Sequence, residues 1–170
     1  MAAIMNKRRF LFCLAAACQI ISIAAQADDL VEPAGSAQAK SVWINAGFLS
    51  YHFERDKGLK GNNYGLGGQV ALSQTHSVIG GEFRNSDDAC SRYLAWIWQP
   101  YAIGSVKFGL LAGAIDGYPK MQNGGWFPMV IPVVSFEYKS VGANFTLVPG
   151  YKDKLHGAVA VQFKLRALTF

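Results

Sequence analysis

The sequence predicts an all-β fold, an eight-stranded antiparallel up-and-down β-barrel that spans a membrane. Three observations predict it. Short, Gly-punctuated, aromatic-rich stretches with a side-chain period of two recur about eight times, at the spacing of a small barrel. The connections alternate between long polar ones and tight ones, as in barrels whose turns face one side of a membrane and whose loops face the other. Beyond the first 27 residues, no stretch reaches the roughly 18 uninterrupted apolar residues of a membrane helix. A closed barrel is then the form in which this backbone is satisfied in lipid.

Residues 1–27 read as a secretory signal peptide. Lys7, Arg8 and Arg9 give a basic start, an apolar run follows from Phe10 to about Ala25, and Ala25-Gln26-Ala27 is a small-residue exit, with cleavage expected before Asp28. A lipoprotein signal ending at Cys18 would shorten the apolar core and leave Ile20, Ile21 and Ile23 in the mature chain. Residues 28–40, polar and broken by Pro33 and Gly35, read as a flexible leader. The rest, 41–170, is one barrel domain. Its strands are expected over 41–53, 63–73, 76–84, 90–98, 104–115, 126–138, 139–148 and 156–165.

Alternation assigns the faces. Tyr64, Leu66, Val70 and Leu72 oppose Gln69 and Ser73; Ala143, Phe145 and Leu147 oppose Asn144 and Thr146; Val159, Val161, Phe163 and Leu165 oppose Gln162 and Lys164. Trp43, Trp96, Trp98, Tyr101, Trp126, Phe127 and Tyr151 fall near strand ends, where aromatic girdles sit. A secreted water-soluble β-barrel or sandwich has the same period with its apolar face turned inward. The last strand breaks parity: its apolar series ends at Leu165, so it either bulges near Arg166 or leaves the final residues as a tail.

Composition excludes some functions. Of 16 Lys and Arg, three lie in the signal, leaving 13 against 11 Asp and Glu, a net +2 that gives nucleic-acid binding no support. Cys13 and Cys18 also lie there, so Cys90 is alone and no internal disulfide is expected.

In a meander, His52 at the end of strand one and Ser86 just beyond strand three reach the same rim, the one with the long loops. There they could act as base and nucleophile, or as base and hydroxyl orienter. Glu82, Arg84 and Ser86 share parity opposite Ile79 and Phe83, which would turn them into the barrel. Asn85-Ser86-Asp87-Asp88 equally reads as a turn. His76 and His156 have no partner at ligand spacing, so no metal is expected. Loop Lys and Arg side chains could meet lipid phosphates or simply be solvated. Pro128, Pro132 and Pro149 remove ladder donors from adjacent strands. They mark either a lateral gap, through which a lipid chain could pass, or a bulged segment.

The segment Pro128-Met-Val-Ile-Pro132-Val-Val-Ser135-Phe-Glu-Tyr138, continuing through Val141, Thr146 and Val148-Pro149-Gly150, resembles the sixth and seventh strands of the outer-membrane lipid A palmitoyltransferase (PagP) family. Tyr51-His52, the Gly-rich Gly65 to Ser73 strand and Phe83-Arg84-Asn85-Ser86 are similar to that family's aromatic-His, Gly-rich and Phe-Lys-Asp-Ser segments. The resemblance implies a tilted barrel in the cell outer membrane, acting as a monomer without cofactor or metal, with an interior that holds one acyl chain. It would move a palmitoyl-like chain from a phospholipid donor to a lipid A acceptor. The family's catalytic positions fall on His52, Ser86 and Asn85, with Arg84, Pro132 and Pro149 at substrate-binding positions. At Asn85 the family has aspartate, and an amide carries no charge to set against an imidazole. The family's N-terminal amphipathic helix has no counterpart in residues 28–40, and prolines at its second opening align with about Gly47 and Gly65. The other reading of the chain is a non-catalytic outer-membrane barrel that binds lipid or a surface partner.

Overall fold

The computed structural model describes residues 32–33 and 40–170. The signal and nearly all of the leader therefore lie outside the described residues. The chain divides after Glu32, and in the second unit eight long strands succeed one another. They are β1 (Ser41–His52), β2 (Asn62–Ala71), β3 (His76–Arg84), β4 (Cys90–Ile103), β5 (Val106–Ile115), β6 (Phe127–Tyr138), β7 (Val141–Val148) and β8 (Ala158–Thr169). Each pairs antiparallel with the next, and β1 pairs with β8, so the sheet closes into an up-and-down barrel. Closure leaves no sheet edge, which is how a β-chain in any solvent avoids edge-to-edge association. Three tight connections, 72–75, 104–105 and 139–140, lie at one end. The longer 53–61, 85–89, 116–126 and 149–157 lie at the other, hereafter the loop end.

The period of two sorts side chains as the alternation requires. Gln69, Asn144, Thr146, Gln162 and Lys164 are buried inside, while Tyr64, Leu66, Phe145, Leu147, Phe163 and Leu165 are exposed outside. Trp96, Trp98, Tyr101 and Trp126 are also exposed.

Several expectations are corrected. Ile79 and Phe83 face the interior, 2% and 7% exposed, and Glu82 and Arg84 face out. The barrel is apolar inside near the loop end, so in β3 the apolar parity is the inner one. Trp43, 0% exposed, is interior rather than part of a girdle. Lys164 Nζ and the Arg166 guanidinium lie 4.7 and 4.6 Å from its ring centre, a pair of cation–π contacts. Phe127 is likewise buried. Strand β4 runs to Ile103 instead of ending at 98, because Pro100 falls at a register shift between Trp98 and Tyr101 where no ladder donor is needed. The last strand bulges rather than fraying. Val42 pairs with Leu168 and Trp43 with Arg166, so Ala167 is the extra residue, and Phe170 N–H donates to the Lys40 carbonyl at 2.8 Å. A second bulge falls at Gly47, where a Cβ would stand 2.0 Å from the Asn63 carbonyl oxygen.

The interior has two halves. Toward the tight turns it is filled by a continuous polar network. Lys164 Nζ donates to Glu137 at 2.6 Å and to Gln69 at 3.3 Å, Lys107 donates to Glu137 at 3.2 Å, and Asn144 donates to Gln69 at 3.0 Å. Ser135 donates to Asn144 at 2.8 Å and accepts from Gln99 at 3.0 Å. Toward the loop end, Ile79, Phe83, Tyr93, Leu111, Ile115 and Ile131 form an apolar lining.

The wall is not uniformly laced. Pairing of β6 with β7 extends only from Tyr138 and Val141 up to Val133 and Thr146. Above that point Phe127–Pro132 keeps its partner β5 but has none in β7. Pro128 and Pro132 have no N–H to give, and Pro149 ends β7. The ladder therefore parts between β6 and β7 in the apolar half.

Candidate functional site: an apolar hollow with a polar mouth

The parity of β1 turns Phe48, Ser50 and His52 inward in succession, from hollow to rim. Phe48 packs edge-on against Phe83 and Tyr93, with ring centres 4.8 and 5.7 Å apart. These rings form part of the wall of a cavity of about 460 Å³. Gln162 and Asn144 also line it, where the apolar half meets the polar network. The cavity extends to Pro128–Ile131 and to Val148–Tyr151, the two sides of the parting.

A smaller cavity of about 40 Å³ adjoins it at the rim, lined by His52, Ser86, Asp87 and His156 among others. Ser50, Tyr118, Val148 and Leu155 line both, so the polar cavity and the apolar one share a wall. Asp87 lies close enough to His52 and to Tyr118 for its charge to act on both. His156 Nδ1 is 3.0 Å from Glu54 Oε2. Burial pushes the Tyr118 phenol well above its ordinary range, with the Asp87 charge adding to the effect. Tyr118 therefore stays neutral at the mouth. Asn63 is 3% exposed, and its Nδ2 donates to Ser50 Oγ at 2.8 Å and to Ser86 Oγ at 3.4 Å.

Each residue singled out in the sequence has a definite place. His52 and Ser86 share the small cavity. Asn85 points away from it, 1% exposed, with every polar valence used. Its Nδ2 donates to Ser91 Oγ and to the Gly117 carbonyl, both at 2.9 Å, and its Oδ1 accepts from the backbone N–H groups of Asp87 and Ala89, both at 3.0 Å. Asn85 thus shapes the 85–89 turn and ties it to the 116–126 loop, which carries Tyr118 and Met121 over the hollow. Arg84 lies outside the barrel. It pairs with Asp88, whose carboxylate also meets Lys60 at 2.8 Å, and hydrogen bonds from these two cations hold the Asp88 carboxyl down to about 2. Pro132 faces outward at the foot of the parting, next to Ile131, which lines the hollow; Pro149 lines the hollow directly.

Ser50, Asn63 and Tyr118 were not singled out. Ser50 was within reach, since it shares parity with His52 two residues on. Asn63 needed the β1–β2 register, which Gly47 shifts by one residue. No group of three or more His, Cys, Asp or Glu that could hold a metal occurs among the described residues. No family model and no curated protein sequence matches the chain.

Proposed function

We propose that this protein is an outer-membrane acyltransferase that moves a fatty acyl, palmitoyl-like chain from a phospholipid to lipid A. One observation carries the reading: an apolar hollow, flanked by the stretch where β6 and β7 share no ladder, adjoins a cavity lined by a histidine and a serine. The hollow suits a hydrocarbon tail, since its apolar lining gives a chain leaving the bilayer surroundings as free of water as those it left, and the parting between β6 and β7 gives the tail a lateral way in. Exposed Leu, Phe, Trp and Tyr side chains around the barrel suit a hydrocarbon surround with interfacial aromatics. Among the described residues no helix is long and apolar enough to cross a membrane, which is compatible with crossing by strands. The polar network in the other half disfavours a pore reading, because its side chains bond to one another across the interior.

In the reaction, His52 takes the proton of the acceptor hydroxyl as that oxygen adds to the ester carbonyl carbon. The tetrahedral intermediate then expels the lysophospholipid alkoxide, which receives the proton from His52, and the acyl chain leaves on lipid A. Ser86 donates a hydrogen bond to the carbonyl oxygen.

A non-catalytic lipid-binding barrel is the second reading, favoured by Asn85, whose side chain is spent on loop structure and provides His52 with no carboxylate. Mass spectrometry of lipid A from cells with and without the gene decides between them, with His52→Ala and Ser86→Ala alongside. Transfer predicts one added acyl chain that His52→Ala removes. An unchanged acyl count with the folded wild type in the outer membrane supports the binding reading instead.

A further inference from the structure

We propose, resting on the acyl-transfer reading, that the Ser50 and Ser86 hydroxyls form a two-donor site for the ester carbonyl oxygen, both set in direction by the Asn63 amide. A serine hydroxyl has one proton to donate and two lone pairs to accept with. Asn63 Nδ2 donates to both serine oxygens, at 2.8 and 3.4 Å, so it occupies an acceptor position on each and leaves both hydroxyl protons for another acceptor. Asn63 Oδ1 has no hydrogen-bond partner among the described residues, so the amide's connections run to the two serines alone. The location fits the role. Ser50 lines both cavities, Asn63 the hollow and Ser86 the polar cavity, so the three side chains stand at the boundary between the space for the tail and the polar rim. An ester with its chain in the hollow and its headgroup at the rim would bring its carbonyl to that boundary.

When the acceptor oxygen adds to the carbonyl carbon, the C=O π pair moves to the carbonyl oxygen and the acceptor's proton goes to His52. The two hydroxyls then face a full oxyanion. Collapse re-forms C=O, breaks the donor ester C–O bond and returns the proton to the leaving alkoxide. Ser86 forms no bond to the acyl group, because an oxygen that accepts from Asn63 is a poorer nucleophile and a better donor. Ser50 is a catalytic residue in this scheme, and Asn63 is a positioning residue.

The test uses the full barrel folded in vesicles of phosphatidylethanolamine labelled in its acyl chains, with lipid A as acceptor; folding is checked by heat-modifiable gel migration. Ser50→Ala is expected to lower kcat by about 10²- to 10³-fold, the usual effect of removing one oxyanion donor, with KM for the phospholipid unchanged. Ser50→Thr keeps the hydroxyl and should recover most of that loss. Asn63→Asp is nearly isosteric but reverses the polarity: the carboxylate accepts from both hydroxyls and turns their protons away from substrate, so kcat should fall at least as far. Wild-type kcat in Ser50→Ala, with transfer still abolished by His52→Ala, overturns this inference and leaves the acyl-transfer reading standing. Should Asn63→Asp fail to fold, the Ser50→Ala and Ser50→Thr pair decides alone. No transfer by the folded wild type overturns the reading on which the inference rests.

Discussion

The two halves of the barrel interior are built from one strand pattern and do opposite things with it. Toward the tight turns, inward side chains are long, polar and bonded to one another, as in the chain from Lys164 through Gln69 and Asn144 to Ser135. Toward the loop end they are mostly apolar and leave a hollow, with polar groups at its mouth and at the floor that Asn144 and Gln162 share with the network. Period-two alternation fixes which residues point inward, and it is indifferent to whether the inside is polar. A small barrel can therefore carry a hydrogen-bonded polar plug and an open site along the same strands. The difference between them lies in whether the inward side chains reach one another across the interior.

That contrast can be broken by truncation. The largest effect is expected in the plug: Glu137→Ala leaves the Lys164 and Lys107 ammonium groups without that carboxylate, and losing one partner of a buried ion pair costs about 3–5 kcal/mol. Leu111→Ala, at the wall of the hollow, should cost about 2 kcal/mol, the low end for such a truncation, because its neighbours already border empty space. Reversible urea unfolding of the folded barrel in detergent micelles measures both. Equal costs would mean that the halves do not differ in how tightly they are built.

An effect comparable to that of the Leu111 truncation is expected at the loop end, where Asn85 joins two loops. Asn85→Asp cannot donate to the Gly117 carbonyl, and a lost buried bond of this kind costs about 1–3 kcal/mol. Gly117, at φ 83°, is a place where only glycine fits, since a Cβ there would meet the Cys90 carbonyl oxygen at 2.0 Å. Amide exchange should quicken across 116–126 in this variant, and acyl transfer should fall. A rise in transfer would mean that the position retains the acid role implied by the family resemblance.

Much of the fold was legible because alternation and turn chemistry are local. The faces of β2, β7 and β8 follow from period two, and the loop asymmetry from composition. The face of β3 was not legible, because Ile79 and Phe83 look lipid-facing until the interior is known to be apolar at that height. Trp43 was misplaced for a related reason: its ring is stabilised inside by Lys164 and Arg166, more than a hundred residues away in sequence. Pro128, Pro132 and Pro149 marked the place of the parting, since a missing donor is a property of the residue itself, but they fitted a bulged segment equally well. His52 and Ser86 could be placed at one rim by topology alone. Asn63 depends on register across a bulge, which no local pattern encodes.

The central claim, that the inward face of the apolar half holds a lipid tail, is tested most directly by photolabelling. The folded barrel is placed in vesicles of a phospholipid with a diazirine at the end of one acyl chain, irradiated, and digested for mass spectrometry. Leu110 and Leu111 are adjacent, one exposed outside and the other buried against the hollow. The account predicts label on Leu111 and Ile79 as well as on outward Leu110 and Leu94. Label on the outward residues alone would contradict it.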